Sequence, residues 1–460
     1  RAMLYKLVAA SAIVAAASAL PSTVEAAATP SGTYKGSKSV LGQSVNAIVT
    51  VDDTTHLDLT LSGATAVNCK SESYSYDGTS KITLPGLNTA GDCVHDALAG
   101  ASLPITIKSI TYSPTSDDVV IAAGVSFLTV DVTLSKSSLA AVSNTADEHT
   151  RWFDEFKEHF GRTYTGKEHA ARFEIFKENL GKIGARNADG ELGFHFVNKF
   201  ADLSHEEFRA THMGYKPKAN LLTQQVELDL PLSTRATTSS VDWRSHSPAI
   251  LTPVKDQGQC GSCWAFSATE QIETDVAMAT GHLYTLSPQQ IVSCDKSDLG
   301  CNGGNTETAY EYVESNGLEA ESSYPYRSGT TEKSGTCEYK GSKAVVSIGG
   351  YSTVSSRSSS EGKMLTQIAK SPISVCVDAT QWQTYSSGVL GRSCGTSLDH
   401  CVQAVGYNAA QGYWIVRNSW NTDWGVDGYI YVKEGIDACG IAKDATIVKG
   451  ATNQPASFAF

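Results

Sequence analysis

The pattern of apolar and polar residues divides the 460-residue chain into regions of different secondary structure. Between about residues 29 and 136, stretches such as 56–61 and 128–134 alternate apolar with polar residues, which is the period of a half-buried β-strand. Clusters of Gly, Ser, Thr, Asn and Asp separate these stretches, as in a small sandwich or barrel. We therefore predict a small all-β domain of unknown role over residues 29–136.

The pattern changes to helical spacing between residues 145 and 187. Apolar residues recur there every three or four positions and predict two amphipathic helices. They are Trp152, Phe153, Phe156 and Phe160, followed by Phe173, Phe176, Leu180 and Ile183. From about 219 to 240 the chain becomes polar, which is typical of an exposed linker that proteases cut easily. The remainder, residues 237–460, mixes helix and strand signals.

The first residues resemble a targeting segment. Arg1 and Lys6 precede a short apolar run over 7–20, and small residues follow around 26–28. This order predicts a secretory signal peptide over residues 1–28. The run is shorter than the roughly 20 apolar residues of a membrane-spanning helix, and no later segment predicts one.

Charge and cysteine content narrow the class of protein. The formal net charge of −12 argues against a nucleic-acid-binding surface, which needs a basic stripe. In the secretory pathway, cysteines form disulfides, and the chain has eleven of them. Because eleven is odd, at least one thiol is unpaired or pairs between chains.

The stretch "QCGSCWAF" holds two of these cysteines, Cys260 and Cys263, three positions apart. Such a pair can be a redox dithiol, half of a zinc site, or a nucleophile beside a structural cysteine. No second C-x-x-C or H-x-x-x-H occurs in the chain to complete a zinc site, and we expect no metal and no cofactor.

Three segments together resemble the papain-like cysteine proteases. Asp256–Ser267 contains the C-G-S-C-W form of that family's signature, and Leu398–Tyr407 and Tyr413–Trp420 are similar to its histidine and asparagine segments. The resemblance implies an α+β fold whose catalytic part, residues 237–460, has a helical left half and a β-barrel-like right half. It also implies an enzyme, a cysteine endopeptidase, since no insertion resembling those of carboxypeptidase-type relatives is present.

The resemblance assigns the reaction to four residues. Cys263 would be the nucleophile at a helix N-terminus, where the helix dipole and a protonated His400 favour the thiolate. His400 would protonate the leaving amine, and Asn418 would orient its imidazole. Gln257 would donate to the oxyanion, and Trp420 would shield the Asn–His hydrogen bond.

Residues 147–236 resemble the inhibitory propeptide of the cathepsin L-like branch. Spaced residues from Glu168 to Asn187 match its first motif, and Asn198-x-Phe200-x-Asp202 matches its second, although Phe196 stands where Gly is usual. In that family the prosegment runs backwards through the cleft, so the resemblance implies a zymogen inhibited by its own propeptide.

The resemblance also implies how the cysteines pair. Cys260 would pair with Cys301, Cys294 with Cys337, and Cys394 with Cys439. We expect Cys69–Cys93 in the N-terminal domain, and a Cys376–Cys401 disulfide, with two separate thiols in the pocket wall as its alternative.

Substrate-binding residues follow from the same resemblance. They are Gly303, Gly304, Asn305, Thr306, Cys376, Asp399, Cys401, Trp420 and Asp444. Asp444 would lie at the floor of the pocket for the second residue before the scissile bond and accept Arg or Lys; alternatively it faces solvent. Asn421 stands where the family usually has Gly.

The sequence therefore predicts a cysteine endopeptidase zymogen that acts on peptide or protein substrates. We expect a monomer in the secretory pathway, either extracellular or in a lysosome- or vacuole-like compartment. Two other interpretations are a non-catalytic binding or scaffold protein and a disulfide oxidoreductase that uses Cys260 and Cys263.

Overall fold

The computed structural model describes residues 28–63, 66–99, 105–136, 141–142, 146–218, 227–235 and 238–453. The predicted signal peptide, except for residue 28, and parts of the predicted linker lie outside these ranges. The chain divides into two compact units: residues up to 37 together with 46–141, and residues 38–45 together with 142 onward. Within the described ranges, no helix is long and apolar enough to cross a membrane.

The first unit is built on a sheet in the strand order β4-β3-β2-β1-β9-β8-β7-β6-β5, with β10 beside β1. The two stretches with alternating residues are β3 and β9, and their buried side chains alternate as the pattern predicts. The structure adds one short helix, α1 (Cys93–Ala99), to the predicted strands. The strands are β1 Gly32–Val40, β2 Gln43–Val51, β3 His56–Gly63, β4 Val67–Ser73, β5 Ser75–Tyr76, β6 Lys81–Thr83, β7 Ile105–Ser113, β8 Asp118–Val125, β9 Leu128–Ser135 and β10 Ala141–Val142.

The second unit begins with the helices of the predicted prosegment. Helices α2 (Ala146–His159) and α3 (Gly166–Ala188) bury the aromatic faces that their spacing predicts. Helix α4 (His205–His212) starts at a capping box, in which Ser204 and Glu207 each satisfy a backbone N–H of the other. Strand β11 (Gly193–His195) pairs with β17 (Tyr385–Leu390) of the following region, so the prosegment extends the sheet of residues 237–460.

Residues 237–460 combine helices with a sheet to which the prosegment adds β11. Among the described residues this sheet has nine strands, in the order β11-β17-β20-β19-β18-β16-β21-β15 with β12 beside β18. The helices are α5 Cys263–Thr280, α6 Pro288–Cys294, α7 Thr306–Asn316, α8 Ser328–Thr331 and α9 Glu361–Ile368. The strands are β12 Val241–Asp242, β13 Leu318–Glu319, β14 Ala344–Val346, β15 Tyr351–Ser355, β16 Ile373–Val377, β17 Tyr385–Leu390, β18 His400–Asn408, β19 Tyr413–Arg417, β20 Tyr429–Lys433 and β21 Ala445–Val448.

Two hydrophobic cores support this region. One surrounds α5 and includes Trp264 and Ile272, whereas the other lies on the sheet and contains the buried Trp382, Trp414 and Trp420. Helix α5 packs against β18, and the Ser267 hydroxyl lies 2.7 Å from the Val402 carbonyl oxygen at this junction. The first residue of α5 and the first residue of β18 are therefore held at one junction between the two cores.

Candidate active site

Cys263 is the first residue of α5 and the one cysteine outside a disulfide. Its thiol is completely buried and lies against the backbone N–H groups of Cys401 and Gly214. A helix N-terminus presents unpaired N–H groups and a partial positive charge, both of which favour a thiolate once the site is hydrated. In the structure as it stands, however, burial raises the pKa of Cys263 to about 12.

His400 begins β18 and is oriented by Asn418, which directly follows β19. Its Nε2 lies 2.8 Å from the Asn418 side-chain oxygen. The Trp420 ring covers this pair, with its centroid 4.7 Å from that of the imidazole. Burial lowers the pKa of His400 to about 4. The Cys263–His400 pair is thus neutral here, in contrast to the thiolate and imidazolium expected for a free active site.

Gln257 has its amide held from both ends. Its oxygen accepts hydrogen bonds from the Ser419 hydroxyl, at 2.8 Å, and from the Trp420 indole N–H, at 3.2 Å. Its NH₂ group donates to the carbonyl oxygens of His212, at 3.1 Å, and Cys260, at 2.9 Å. The Gln257 amide, the predicted oxyanion donor, is therefore fixed in orientation, and its NH₂ group already donates to a prosegment carbonyl oxygen.

The prosegment backbone lies directly over the cleft. Gly304 N–H donates to Gly214 at 2.8 Å and its carbonyl oxygen accepts from Lys216 N–H at 2.8 Å, so Tyr215 pairs in parallel with Gly304. Tyr215 N–H also donates to the Asp399 carbonyl oxygen at 2.9 Å. The approach is so close that a Cβ at Gly214 would run into the Gly261 carbonyl oxygen.

Of the predicted pocket residues, Cys376, Cys401 and Asp444 contact the Tyr215 side chain. Cys376 and Cys401, paired across β16 and β18, form a disulfide that packs with Tyr215. Asp444 is 1% exposed, not turned to solvent, and accepts a 2.6 Å hydrogen bond from the Tyr215 hydroxyl. Asn305 instead uses its side chain to cap α7, and Thr306 is its first residue.

A side chain at Gly303 would meet the Gly214 carbonyl oxygen, which places Gly303 against the prosegment backbone as well. The Asp399 carboxylate caps the turn after β16, where it accepts from Ala379 N–H at 2.8 Å, and burial raises its pKa to about 6. The structure also gives a reason for Asn421, whose φ of 63° lies in the left-handed region that Gly and Asn tolerate best.

The remaining cysteines are all paired. The disulfides are Cys69–Cys93, Cys260–Cys301, Cys294–Cys337, Cys376–Cys401 and Cys394–Cys439. Because Cys260 is bonded to Cys301, it does not form a dithiol with Cys263 in this structure, and the oxidoreductase interpretation finds no support.

Sequence reasoning missed three residues at this site: His212, whose carbonyl oxygen accepts from Gln257; Tyr215, whose hydroxyl donates to Asp444; and Glu307, which is completely buried near Asp444. The propeptide motifs end before His212, so they do not include it. That Glu307 lies near Asp444 follows only from the packing of α7 near β21 in the folded chain. Glu307 directly follows the predicted pocket residue Thr306, and this closeness in sequence was the available signal.

Comparison with known proteins agrees with this geometry. The profile of the papain family cysteine proteases matches residues 237–449, and that of the cathepsin propeptide inhibitor domain (I29) matches residues 153–208. Cysteine protease 1 of Oryza sativa subsp. japonica is 42% identical over 287 residues, which are 58% of this chain and 56% of the rice protein. The chain thus spans little more than half of that relative. Thiol protease SEN102 of Hemerocallis sp. is 39% identical over 54% of this chain and 72% of its own length.

Solved structures of precursors are similar to about two thirds of this chain. Digestive procathepsin L 3 of the Tenebrio molitor larval midgut superposes with a TM-score of 0.56 and 34% identity, over 66% of this chain and all of that one. The recombinant stem bromelain precursor gives the same TM-score and identity, over 65% of this chain and 98% of its own. This chain belongs to the papain family of cysteine proteases and carries the cathepsin-type inhibitory propeptide.

Proposed function

We propose that this protein is the zymogen of a cysteine endopeptidase that cleaves peptide bonds with Cys263, His400, Asn418 and Gln257. The observation that carries the proposal is the path of the prosegment, which places His212 on the Gln257 amide and Gly214 over Gly261, beside the buried thiol. A substrate cannot reach Cys263 until this segment leaves.

Release of the prosegment would change the protonation of the reacting pair. Water would then enter, and the burial that keeps Cys263 and His400 neutral would be relieved. A proton moves from the thiol to the imidazole, and the helix N-terminus and the imidazolium stabilise the thiolate.

The reaction would proceed in two halves. The Cys263 sulfur forms a bond to the carbonyl carbon, the tetrahedral oxyanion accepts hydrogen bonds from Gln257 and the Cys263 backbone N–H, and His400 donates its proton as the C–N bond breaks. Water, deprotonated by His400, then attacks the thioester, and the thiolate leaves as the new carboxylate forms. Asn418 keeps the imidazole ring in place throughout.

The pocket supports a specificity for the second residue before the scissile bond. Tyr215 occupies it in the zymogen with its hydroxyl on Asp444. We expect Arg or Lys to be accepted there as well as aromatic and aliphatic residues, because the Asp444 carboxyl lies at the end of the Tyr215 side chain, whose ring packs against Cys376–Cys401 and Leu398.

Labelling with a thiol-directed epoxide after acid processing tests the mechanism. Wild type should hydrolyse fluorogenic peptides and take up one equivalent of epoxide, whereas Cys263→Ser should do neither while remaining folded. Met278→Leu, at the exposed far end of α5, is a control that should retain both. Peptidase activity in Cys263→Ser would refute the mechanism, and failure of wild type to cleave or label would favour the scaffold interpretation.

The cellular setting remains part of the proposal. Five disulfides support maturation in the secretory pathway, with an extracellular or vacuole-like destination, and we expect a monomer that acts on peptide or protein substrates. Sequencing the N-terminus of the acid-processed form would show whether the β-rich domain of residues 29–136 is removed with the prosegment, and sedimentation would give its oligomeric state.

A further inference from the structure

The tip of the β1–β2 hairpin belongs to the same compact unit as the prosegment. This hairpin tip consists of residues 38–45 and includes the turn at Leu41 and Gly42. The sequence pattern assigns it to the predicted β-rich domain, and the cathepsin propeptide profile, which matches 153–208, does not reach it. Its contacts with the prosegment helices are therefore a feature that the family motifs do not contain.

The turn itself indicates that the hairpin tip is shaped for a buried position. Leu41 has a φ of 49° and Gly42 a φ of 79°, which are the signs of a two-residue type I′ turn. Such a turn favours Asn, Asp or Gly, and a leucine in the left-handed region is strained. Leu41 is nevertheless only 5% exposed, so its side chain serves packing at the expense of the turn.

A buried ion pair connects the hairpin tip with the start of α2. The Lys38 ammonium lies 2.7 Å from Oε2 of Glu148, the third residue of α2, and the two residues are 3% and 7% exposed. Removing one partner of a buried ion pair is strongly destabilising, because the desolvation of the remaining charge is no longer compensated. Lys38 and Glu148 should therefore stabilise this contact together.

The hairpin tip also contacts the last turn of α3. The Asn187 side chain donates to the Leu41 carbonyl oxygen at 2.7 Å, and the Asn187 carbonyl oxygen accepts from the Gln43 side-chain amide at 3.2 Å. Because the last carbonyl groups of a helix have no partner within it, Gln43 acts as a cap for α3. The backbones approach closely here, since a Cβ at Gly42 would run into the Gly184 carbonyl oxygen.

Asn187 extends this contact to the strand that joins the prosegment to the catalytic region. Its side chain also donates to the His195 carbonyl oxygen at 2.9 Å and accepts from His195 N–H at 2.8 Å. His195 is the last residue of β11, which pairs with β17. One side chain thus holds both the hairpin turn and β11, so a loosened turn should weaken the attachment of the prosegment to the sheet.

We propose that residues 38–45 are a functional part of the inhibitory prosegment. The hairpin tip binds the start of α2 and the end of α3 and so stabilises the occluded zymogen. Through this tip, the predicted β-rich domain takes part in keeping the enzyme inactive, and its removal should weaken occlusion. The inference rests on the proposed zymogen function.

Cys263 supplies a probe of occlusion that does not depend on peptidase activity. It is the one cysteine outside a disulfide, and its thiol is completely buried. Alkylation of the unprocessed full-length chain by iodoacetamide at neutral pH therefore reports how often the prosegment opens. Intact mass spectrometry counts the alkylated chains and separates them from processed ones.

The first comparison breaks the ion pair. Lys38→Met and Glu148→Leu each leave the other charge buried, and each should be alkylated roughly tenfold faster than wild type or more. The double variant replaces the pair with apolar side chains and should return to within about threefold of the wild-type rate. Lys35→Met, at an exposed position on the same strand, is the matched control and should be alkylated like wild type.

The second comparison disturbs the turn without changing any charge. Gly42→Ala places a Cβ against the Gly184 carbonyl oxygen and should accelerate alkylation roughly fivefold or more. Gly78→Ala is the matched control, because its φ of 82° causes the same backbone strain while its Cβ meets nothing within 4 Å. It should be alkylated at the wild-type rate.

Wild-type rates in Lys38→Met, Glu148→Leu and Gly42→Ala would overturn the proposal. It would also be overturned if Gly78→Ala accelerated alkylation as much as Gly42→Ala, or if the double variant were as fast as the single ones. The glycine pair decides the question even if an ion-pair variant does not fold. An acid-processed wild type that cleaves no peptide would mean that the peptidase function has failed, whereas the alkylation rates would still decide the role of the hairpin tip.

Discussion

The prosegment fills the cleft with two surfaces of opposite character. On the side of Trp420 it presents an aromatic cluster, in which the His212 ring stacks on Phe208 and meets Phe200 edge-on, with centroids 5.0 and 4.7 Å apart. On the side of Asp444 it presents the Tyr215 hydroxyl to an acidic floor. Both surfaces exclude water, but they should respond to acid in opposite directions.

Burial lowers the pKa of His212 to about 3, so the imidazole is neutral in the zymogen and takes up a proton more readily once it is released. Acid therefore favours release on this side, from the ordinary histidine pKa of about 6.5 downward. Asp444 is the reverse case: its raised pKa means that the occluded state holds the extra proton, so its contribution is present in acid and is lost as pH rises. Acid should therefore release the prosegment through protonation of His212, which lies in the aromatic cluster.

The largest effect should come from Gly214, which lies between the two surfaces. Gly214→Ala would place a Cβ on the Gly261 carbonyl oxygen and lift the backbone from the cleft. An overpacked contact of this kind costs about 1–3 kcal/mol, so unprocessed zymogen should activate roughly 5–150-fold faster. The measurement is the rate of processing at neutral pH.

Gly181→Ala is the control for this change, because a Cβ there meets nothing within 4 Å. It should process at the wild-type rate. Equal rates for Gly214→Ala and wild type would show that the backbone at Gly214 does not determine occlusion.

For His212→Phe we expect a smaller effect, which is a shift in the pH midpoint of activation. The substitution keeps a flat ring between Phe208 and Trp420 but removes the group that titrates. Protonation of the released imidazole is worth about 1.4 kcal/mol for each pH unit below its ordinary pKa, and the variant loses that driving force. The midpoint of activation should move about one pH unit toward acid.

The exposed His282 supplies the control for this experiment, since His282→Phe also removes one histidine and should leave the midpoint in place. His195, another buried prosegment histidine whose pKa burial lowers to about 3, would account for acid activation that persists in His212→Phe. An unmoved midpoint in the double variant His195→Phe/His212→Phe would contradict the histidine explanation.

The contrast between the two surfaces also shows what the sequence can predict. Cys263, His400 and Asn418 each lie within a short motif, and the spacing of apolar residues predicts helices α2 and α3, because these features depend on local sequence. Tyr215 and Glu307 depend on where two distant segments meet, which no local pattern encodes.

Asn305 illustrates the same limit. Its position in the sequence predicts a pocket residue, and the structure adds that its side-chain oxygen caps α7, a role that depends on where that helix begins. The sequence also does not predict that the Cys263 thiol is neutral, because its raised pKa arises from burial under the prosegment and not from the residues of the motif.

The smallest effect should come from Tyr215→Phe. It should change the rate of processing but not its pH dependence, which distinguishes the acidic surface from the aromatic one. The change removes one hydrogen bond, from the Tyr215 hydroxyl to Asp444, and leaves the ring in the pocket. A loss of about 0.5–1.5 kcal/mol follows, so processing should accelerate roughly twofold to tenfold. Because the Tyr215 hydroxyl does not titrate in the acid range, this acceleration should be similar at each pH and leave the midpoint unchanged. His212→Phe shifts the midpoint, whereas Tyr215→Phe shifts the rate; a shifted midpoint in Tyr215→Phe would mean that the acidic floor, and not the aromatic cluster, senses pH.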